Sequence, residues 1–253
     1  MAAALTMPRT LQLGEWLRVS SRIFAMVVLL LACIPLYYLC RLFGQTNPAP
    51  RLFLSGVTAL AGVKVTTLGQ RALGPLFLIA NHVSWIDISA LSKITGCAFV
   101  GHDGLAAMPL LKWLCKMNKT VFVARHDRAS VAGQIEAVRA ATTQMHSLTI
   151  FPEGTTSDGT GLLPFKSSLL SAFEPLPPRI AVQPVLLDYG PEAANIAWIG
   201  EEHGLDNFLR ILARAQPVQL TIHYLPVLSG ADLANRKTIA AVARGAILRE
   251  LTS

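Results

Sequence analysis

The sequence predicts an α/β fold, a largely parallel mixed sheet flanked by helices, preceded by an N-terminal apolar membrane helix or helix pair. From residue 63 onward, short apolar runs alternate with segments of helical periodicity, as is typical of strands joined by crossover helices. Residues 23–39 carry no charge at all. The length of 253 residues suits one domain of ordinary size with an appendage.

The apolar stretch at residues 23–39 is predicted to be a membrane anchor. As a helix it spans about 26 Å, slightly less than the roughly 30 Å hydrocarbon core of a bilayer. Pro35 favours a kinked, shallow or re-entrant insertion. Tyr37 and Tyr38 lie near one end, where aromatic rings favour the membrane interface. A cleaved signal peptide and a buried core helix are the alternatives, and arginines on both sides leave the orientation open.

Two regions are predicted along the chain. Residues 1–62 form a membrane-anchoring helical segment, which includes a second apolar-patterned helix at residues 51–60. Residues 63–253 form the globular domain. Its predicted strands are residues 63–68, 76–80, 98–100, 120–123, 147–151, 181–187 and 218–224. Its predicted helices are residues 84–93, 108–116, 130–145, 167–173, 207–214 and 233–251.

The net charge of +7 and the pI near 9.5 favour attraction to anionic lipid headgroups or to an acidic substrate carrier. Nucleic acid binding is not predicted, because the basic residues are scattered and no basic run is interleaved with aromatic residues. The four cysteines form no CxxC pair, which is typical of a reducing compartment, and the six histidines show no metal-ligand spacing. We therefore predict no metal.

The most informative segment is residues 81–87, which follows an apolar run at residues 76–80 with the pattern of a buried strand. A turn between this strand and the next helix allows Asp87 to reach back to the imidazole of His82. A carboxylate that accepts from one ring nitrogen leaves the other nitrogen free to take a proton. The pair therefore predicts a general base and its orienting acid. A helix cap beside a buried histidine is the alternative.

A second segment, residues 151–157, also follows a strand-like run. The amides and hydroxyls of Gly154, Thr155 and Thr156 suit an anion or a developing oxyanion. Glu153 is a candidate to orient an acceptor hydroxyl or a neighbouring backbone group. A tight turn with a helix cap is the alternative for this segment.

Arg125 follows the predicted strand at residues 120–123. A guanidinium in that place is a natural phosphate ligand, and a solvated surface charge is the alternative. Ligands of such sheets gather at the carboxyl ends of the strands. We therefore expect Asn81, His82, Arg125 and Glu153 to converge at one edge of the sheet.

The order and spacing of these motifs resemble those of the 1-acylglycerol-3-phosphate acyltransferase family, the PlsC-like members of the glycerolipid acyltransferases, over residues 63–228. Four blocks in the family's order carry the resemblance. They are Asn81, His82 and Asp87, then Arg125, then residues 151–155, and then Pro184 within an apolar strand. Residues 163–167, which include Lys166, also resemble the family's stretch after the Glu-Gly-Thr block.

The resemblance implies a membrane-associated O-acyltransferase of phospholipid or membrane lipid biosynthesis. His82 would deprotonate a hydroxyl of a lysolipid while Asp87 holds the imidazole. The alkoxide would then attack the thioester of acyl-CoA or acyl-carrier protein; these are donor substrates, and no cofactor is implied. The substrate contacts implied by the resemblance are Asn81, Arg125, Glu153, Gly154, Thr155, Thr156 and Lys166, with oxyanion donors near the Gly154 turn. No Gly-x-Ser-x-Gly elbow is present, which argues against a serine hydrolase.

Two departures from the family pattern concern the acceptor. Phosphate-accepting members usually have arginine where this chain has Thr156, and threonine makes no bidentate ion pair with a phosphate. The dipeptide at residues 102–103 stands where many members carry a lysine. Thr156, with residues 157–159 and 197–200, resembles the branch that acylates lyso-ornithine lipid. The acceptor is therefore left open between lysophosphatidic acid and lyso-ornithine lipid.

Two other functions compete with acyl transfer to a lysolipid. An acyl thioesterase would use His82 and Asp87 equally well, but an enzyme that transfers to water needs no anchor at a bilayer. A catalytically silent lipid-binding protein would need no base. The expected partners are membrane lipids, an acyl donor and a lysolipid acceptor. The expected location is the bacterial inner membrane, with the active site facing the cytoplasm.

Overall fold

The computed structural model describes residues 11–44, 47–102, 109–123, 147–177 and 180–253. Within these residues, seven strands form one mixed sheet, so the predicted α/β fold is confirmed. The strands are Val63–Leu68 (β1), Leu76–Ala80 (β2), Ala98–His102 (β3), Val121–Val123 (β4), Ser147–Ile150 (β5), Ala181–Asp188 (β6) and Val218–Tyr224 (β7). Their order across the sheet is β1-β7-β6-β2-β5-β3-β4. Every neighbouring pair is parallel except β6 and β7.

Helices cover both faces of this sheet. The α-helices are Leu13–Leu42 (α1), Ala49–Leu60 (α2), Ile86–Thr95 (α3), Pro109–Met117 (α4), Ala193–Ile196 (α5), Gly204–Ala213 (α6) and Arg236–Leu251 (α7). The predicted helix at residues 167–173 is a 3-10 helix. The predicted helix at residues 130–145 lies outside the described residues. The helix predicted to begin at residue 84 begins at Ile86, because residues 81–85 form the turn that the active site uses.

The central strand β2 explains why the polar motifs meet. All five of its residues are buried, since apolar side chains cover it from both faces. It lies between β5 and β6 and runs parallel to both. The three chain segments that leave these strands therefore begin at the same edge of the sheet. They carry His82, Phe151 and Tyr189.

Helix α1 is longer than the uncharged stretch that predicts it, and its N-terminal half packs on the domain. Val19 and Met26 belong to the same core as the sheet. Arg18 Nε donates to the Ala213 carbonyl at 3.0 Å, and Arg22 donates to the Leu212 carbonyl at 2.8 Å. These carbonyls lie at the C-terminal end of α6, where the helix dipole favours a cation. The two arginines that precede the apolar stretch therefore contact the domain.

Helix α2 confirms the predicted second helix and packs against both α1 and α3. The two N-terminal helices approach closely at Gly56, where an added Cβ would lie 2.2 Å from a Leu29 methyl group. Val57 and Ala61 join the core beneath the sheet. Among the described residues, α1 is the helix long and apolar enough to cross a membrane, with a mean hydropathy of 2.5 over its most apolar window. The division at residue 62 stays a prediction.

Candidate active site

The His82 imidazole and the Asp87 carboxylate meet as the sequence predicts. Their Nδ1 and Oδ2 atoms lie 2.8 Å apart. The same carboxylate oxygen accepts the backbone N–H groups of Val83 at 2.7 Å and Ser84 at 2.9 Å, which fixes the turn before α3. Asp87 is fully buried, whereas the His82 side chain remains 18% exposed. Because an ionised carboxylate only accepts, Nδ1 carries the proton and Nε2 is left as the base.

A tyrosine that the sequence did not single out completes this arrangement. The Tyr189 hydroxyl donates to Oδ1 of Asp87, the carboxylate oxygen that His82 does not use. Burial raises the pKa of Tyr189 well above its ordinary value of 10.0, and the adjacent Asp87 charge adds to this effect. The hydroxyl therefore stays protonated and remains a donor. Tyr189 directly follows β6, so the rule about strand ends could have identified it.

Removing the Tyr189 hydroxyl in Tyr189→Phe is expected to lower kcat/KM about ten- to a hundredfold, because a hydrogen bond to a buried charge is lost. Initial rates over a range of acceptor concentrations measure the change. An unchanged kcat/KM would show that the hydroxyl contributes nothing to catalysis.

Aromatic stacking fixes the plane of the His82 ring. The ring centroids of His82 and Phe151 lie 4.2 Å apart, with an angle of 17° between the planes. Phe99 stacks on Phe151 at 6.1 Å in the same way. The imidazole is thus held by a carboxylate at one nitrogen and by an apolar surface on one face, which limits its motion to the productive orientation.

Glu153 holds the backbone on which His82 is carried. Its Oε1 accepts the His82 N–H at 2.8 Å, and its Oε2 accepts the Leu163 N–H at 2.9 Å. These contacts orient neighbouring backbone groups, which is one of the two roles that the sequence predicts for Glu153. Burial raises the pKa of Glu153, although the two backbone N–H groups and Ser157 act in the opposite direction.

Glu153→Gln is expected to lower kcat/KM about tenfold, because glutamine offers one acceptor oxygen to two backbone N–H groups. The variant also tests a pH effect on stability. A carboxyl with a raised folded-state pKa binds its proton more tightly in the folded protein, so stability is lost as the pH rises above the ordinary value of 4.5. Urea unfolding should show the wild type losing stability relative to Glu153→Gln over that window. A wild type that gains stability relative to Glu153→Gln as the pH rises would contradict the assignment.

The turn after Glu153 contacts the backbone carbonyl of His82. The Ser157 N–H and hydroxyl both donate to the His82 carbonyl, at 2.7 and 3.1 Å. Gly154 adopts a φ of 71°, and its N–H donates to the Phe151 carbonyl at 3.0 Å. The amide expected to stabilise an oxyanion is therefore engaged within its own turn. An oxyanion contact from this segment stays a prediction.

Comparison with known proteins assigns this arrangement to a family. The sequence model of the acyltransferase family matches residues 62–188, which is half of the chain. The match includes His82, Asp87 and Glu153 and ends one residue before Tyr189. The chain belongs to the acyltransferase family. The predicted resemblance and the predicted enzyme class, an acyltransferase, are thereby confirmed.

Relatives of this acyltransferase include two lyso-ornithine lipid O-acyltransferases. The protein from Rhodobacter capsulatus is 28% identical, with 91% of this chain and 88% of that protein covered. The protein from Brucella abortus is 33% identical, with 68% of each chain covered. A 1-acyl-sn-glycerol-3-phosphate acyltransferase from Neisseria gonorrhoeae is 34% identical over 38% of each chain.

A solved structure shows the same fold. The crystal structure of the 1-acyl-sn-glycerophosphate acyltransferase PlsC from Thermotoga maritima aligns with a TM-score of 0.61 at 20% sequence identity. The alignment covers 94% of this acyltransferase and 96% of that chain, so the likeness includes the N-terminal helices as well as the sheet.

Asn81 holds the sheet of the acyltransferase together at the site. Its Oδ1 accepts the Leu187 N–H at 2.7 Å, and its Nδ2 donates to the Leu187 carbonyl at 3.1 Å. The side chain is fully buried and continues the β2–β6 ladder beyond its last paired residue. Both polar atoms of the amide are thus engaged by the backbone, so Asn81 positions the strand ends beside His82. Its substrate contact stays a prediction.

The remaining predicted substrate contacts are placed differently. Thr156 donates its hydroxyl to the Trp198 carbonyl, so the two segments that resemble the lyso-ornithine branch meet in space. Thr155 and Lys166 are exposed. The described contacts of Lys166 run through its backbone, whose N–H donates to the Pro152 carbonyl at 2.8 Å and whose carbonyl accepts the Leu169 N–H at 3.0 Å. Arg125 lies outside the described residues. The substrate contacts of Thr155, Lys166 and Arg125 stay predictions.

An open cleft of about 440 Å³ borders the Thr156 turn and is lined by residues 156–158 and 160–163 together with Ile199. We call it the headgroup cleft. Within the described part of the chain, no group of three or more His, Cys, Asp or Glu side chains is placed to hold a metal ion.

Proposed function

We propose that this acyltransferase is membrane-associated and moves a fatty acyl group from acyl-CoA or acyl-carrier protein to the free hydroxyl of a lysolipid. Lyso-ornithine lipid is the proposed acceptor and lysophosphatidic acid the second candidate. The observation that carries the proposal is the His82 ring, whose Nδ1 is held by buried Asp87 while the ring remains partly exposed. This arrangement suits a base that takes a proton from a hydroxyl arriving from outside.

The proposed reaction is a direct transfer. Nε2 of His82 takes the proton of the lysolipid hydroxyl as its oxygen attacks the thioester carbonyl. Asp87 stabilises the imidazolium that forms. When the tetrahedral intermediate collapses, the C–S bond breaks, and the imidazolium returns its proton to the leaving thiolate. The products are the acylated lipid and the free thiol of the carrier, and His82 is neutral again.

The choice of acceptor is supported by similarity along the whole chain. The Rhodobacter capsulatus lyso-ornithine lipid O-acyltransferase matches 91% of this chain, whereas the matched Neisseria enzyme covers 38%. The Thr156–Trp198 contact also joins the two segments that depart from the phosphate-accepting pattern. Both observations favour the ornithine headgroup over a phosphate monoester.

We further propose that α1 and α2 insert into one leaflet of the inner membrane from the cytoplasmic side. Large apolar side chains are exposed on both helices, including Phe24, Leu31, Leu42 and Leu52. The start of α1 is hydrogen-bonded to α6, and α2 packs against α3. The chain therefore leaves the domain along α1 and returns to it along α2. A helix that crossed the bilayer would carry α2 to the opposite side. An in-plane or shallow hairpin satisfies both contacts.

Incubation of membranes containing the protein with labelled acyl-CoA or acyl-carrier protein and a panel of lysolipids tests the function. We expect label in ornithine lipid when lyso-ornithine lipid is supplied, and none with membranes that lack the protein. Release of free fatty acid without transfer would favour the thioesterase. Neither transfer nor hydrolysis would favour a silent lipid-binding protein and would overturn the proposal.

A further inference from the structure

We propose that the headgroup cleft binds the positively charged ammonium of the acceptor headgroup and that Asp158 is the residue that contacts it. This inference rests on the proposed lysolipid function and adds the chemical class of the headgroup. The ornithine headgroup carries an ammonium and a carboxylate, whereas lysophosphatidic acid carries a phosphate and no ammonium. The charge of the cleft therefore distinguishes the two acceptors.

The charge of the cleft is negative. Asp158 is an exposed carboxylate in its lining, and the lining contains neither lysine nor arginine. The Thr160 N–H donates to Asp158 Oδ1 at 2.9 Å, which holds the carboxylate in place through a local turn. An ammonium that enters the cleft meets a fixed acceptor of opposite charge, and a phosphate meets a charge of its own sign.

Four hydrogen-bond donors of the cleft lining are engaged by protein oxygens. The Thr156 hydroxyl donates to the Trp198 carbonyl, and both donors of Ser157 point at the His82 carbonyl. The Leu163 N–H donates to Glu153. Recognition of a phosphate monoester depends on donors, above all on arginine or lysine. These groups already donate to protein oxygens, so the cleft favours a cation over an anion.

The cleft borders the segment that carries the proposed base. Ser157, in its wall, is hydrogen-bonded to the His82 main chain. Gly159 has a φ of 74°, and an added Cβ would lie 2.9 Å from the Ala193 Cβ and 3.3 Å from a Val83 methyl group. The turn that carries Asp158 therefore packs against the residue that follows His82. A headgroup held by Asp158 lies next to the chain segment of the proposed base.

The test is Asp158→Asn, which removes the charge and keeps the size of the side chain. We expect KM for lyso-ornithine lipid to rise about tenfold with little change in kcat, and KM for lysophosphatidic acid to stay the same or fall. Binding of lyso-ornithine lipid micelles without acyl donor should weaken by the same factor, which tests the cleft independently of catalysis. Asp158→Glu should restore part of the affinity because it restores the charge.

Asp206→Asn is the matched control, since Asp206 is an exposed carboxylate on the first turn of α6, away from the cleft lining. It changes the net charge equally and should leave KM unchanged. Equal losses for ammonium and phosphate acceptors, or binding unaltered in Asp158→Asn, would overturn the inference while the proposed function stands. Failure of the wild type to acylate any lysolipid would overturn the proposed function, and the binding measurement would still decide the cleft.

Discussion

His82→Ala is expected to lower kcat/KM for acyl transfer about a thousandfold, the size of effect typical of a lost general base. Without the imidazole, the lysolipid hydroxyl must attack the thioester while it still holds its proton. The substrate sites are untouched by the change, so the loss should fall on kcat. Initial rates with labelled acyl donor and lyso-ornithine lipid, measured on protein in membranes, give the two constants separately.

The variant should fold normally, because the backbone hydrogen bonds of residue 82 survive the change and Asp87 keeps its bonds to the N–H groups of Val83 and Ser84. The N–H of residue 82 donates to Glu153 and its carbonyl accepts from Ser157, and alanine keeps both. The unfolding temperature and the membrane-bound fraction are therefore expected to stay close to those of the wild type. His203→Ala, at an exposed helix cap, is the matched control and should keep full activity. Wild-type transfer by His82→Ala would remove the imidazole from the mechanism.

Asp87→Asn is expected to lower kcat by about 10²- to 10³-fold, although the shape of the side chain is conserved. Oδ2 of Asp87 accepts from His82 Nδ1 and from the N–H groups of Val83 and Ser84, so the asparagine oxygen takes that place and keeps the His82 tautomer. The NH2 group then faces the Tyr189 hydroxyl, which donates to the carboxylate in the wild type. The rate falls because the negative charge that stabilises the imidazolium during transfer is lost.

Separate measurement of kcat and KM distinguishes this mechanism from misfolding, because the loss of a charge that stabilises the imidazolium falls on kcat. Circular dichroism and the unfolding temperature should show a folded protein. Asp232→Asn, on the loop after β7, removes a carboxylate elsewhere and should retain activity. Full kcat in Asp87→Asn would show that the carboxylate serves only as a helix cap.

The sequence predicts those parts of the site that are local in the chain. A fully apolar run predicts β2, and His82 and Asp87 belong to one turn, so their contact needs no information about the fold. The rule about strand ends then brings residues 81–87 and 151–157 together, and the structure bears it out. Helix α1 is predicted only over its uncharged part, because Arg18 and Arg22 have the pattern of a solvated flank.

The long-range partners could not be predicted from patterns. The Tyr189 hydroxyl is hydrogen-bonded to Asp87, which lies 102 residues earlier in the chain. The Asn81 side chain is hydrogen-bonded to the Leu187 backbone, 106 residues later. A buried hydroxyl or amide needs a hydrogen-bond partner, but a single sequence does not indicate which residue that partner is. Two roles are predicted for Glu153, orienting an acceptor hydroxyl or a neighbouring backbone group. The structure shows the second, because the two carboxylate oxygens accept two backbone N–H groups.

The arginine contacts between α1 and α6 have a mechanical consequence. The C-terminal end of α6 accepts from Arg18 and Arg22, while Asn207 near its start donates to the Ala197 carbonyl, next to Trp198. The N-terminal helix pair and the segment around Trp198 are thus both attached to α6. If the hairpin sits in a leaflet as proposed, its depth of immersion sets the height of the imidazole above the lipid plane. An acceptor whose hydroxyl lies at a different depth in the bilayer would then not reach the imidazole.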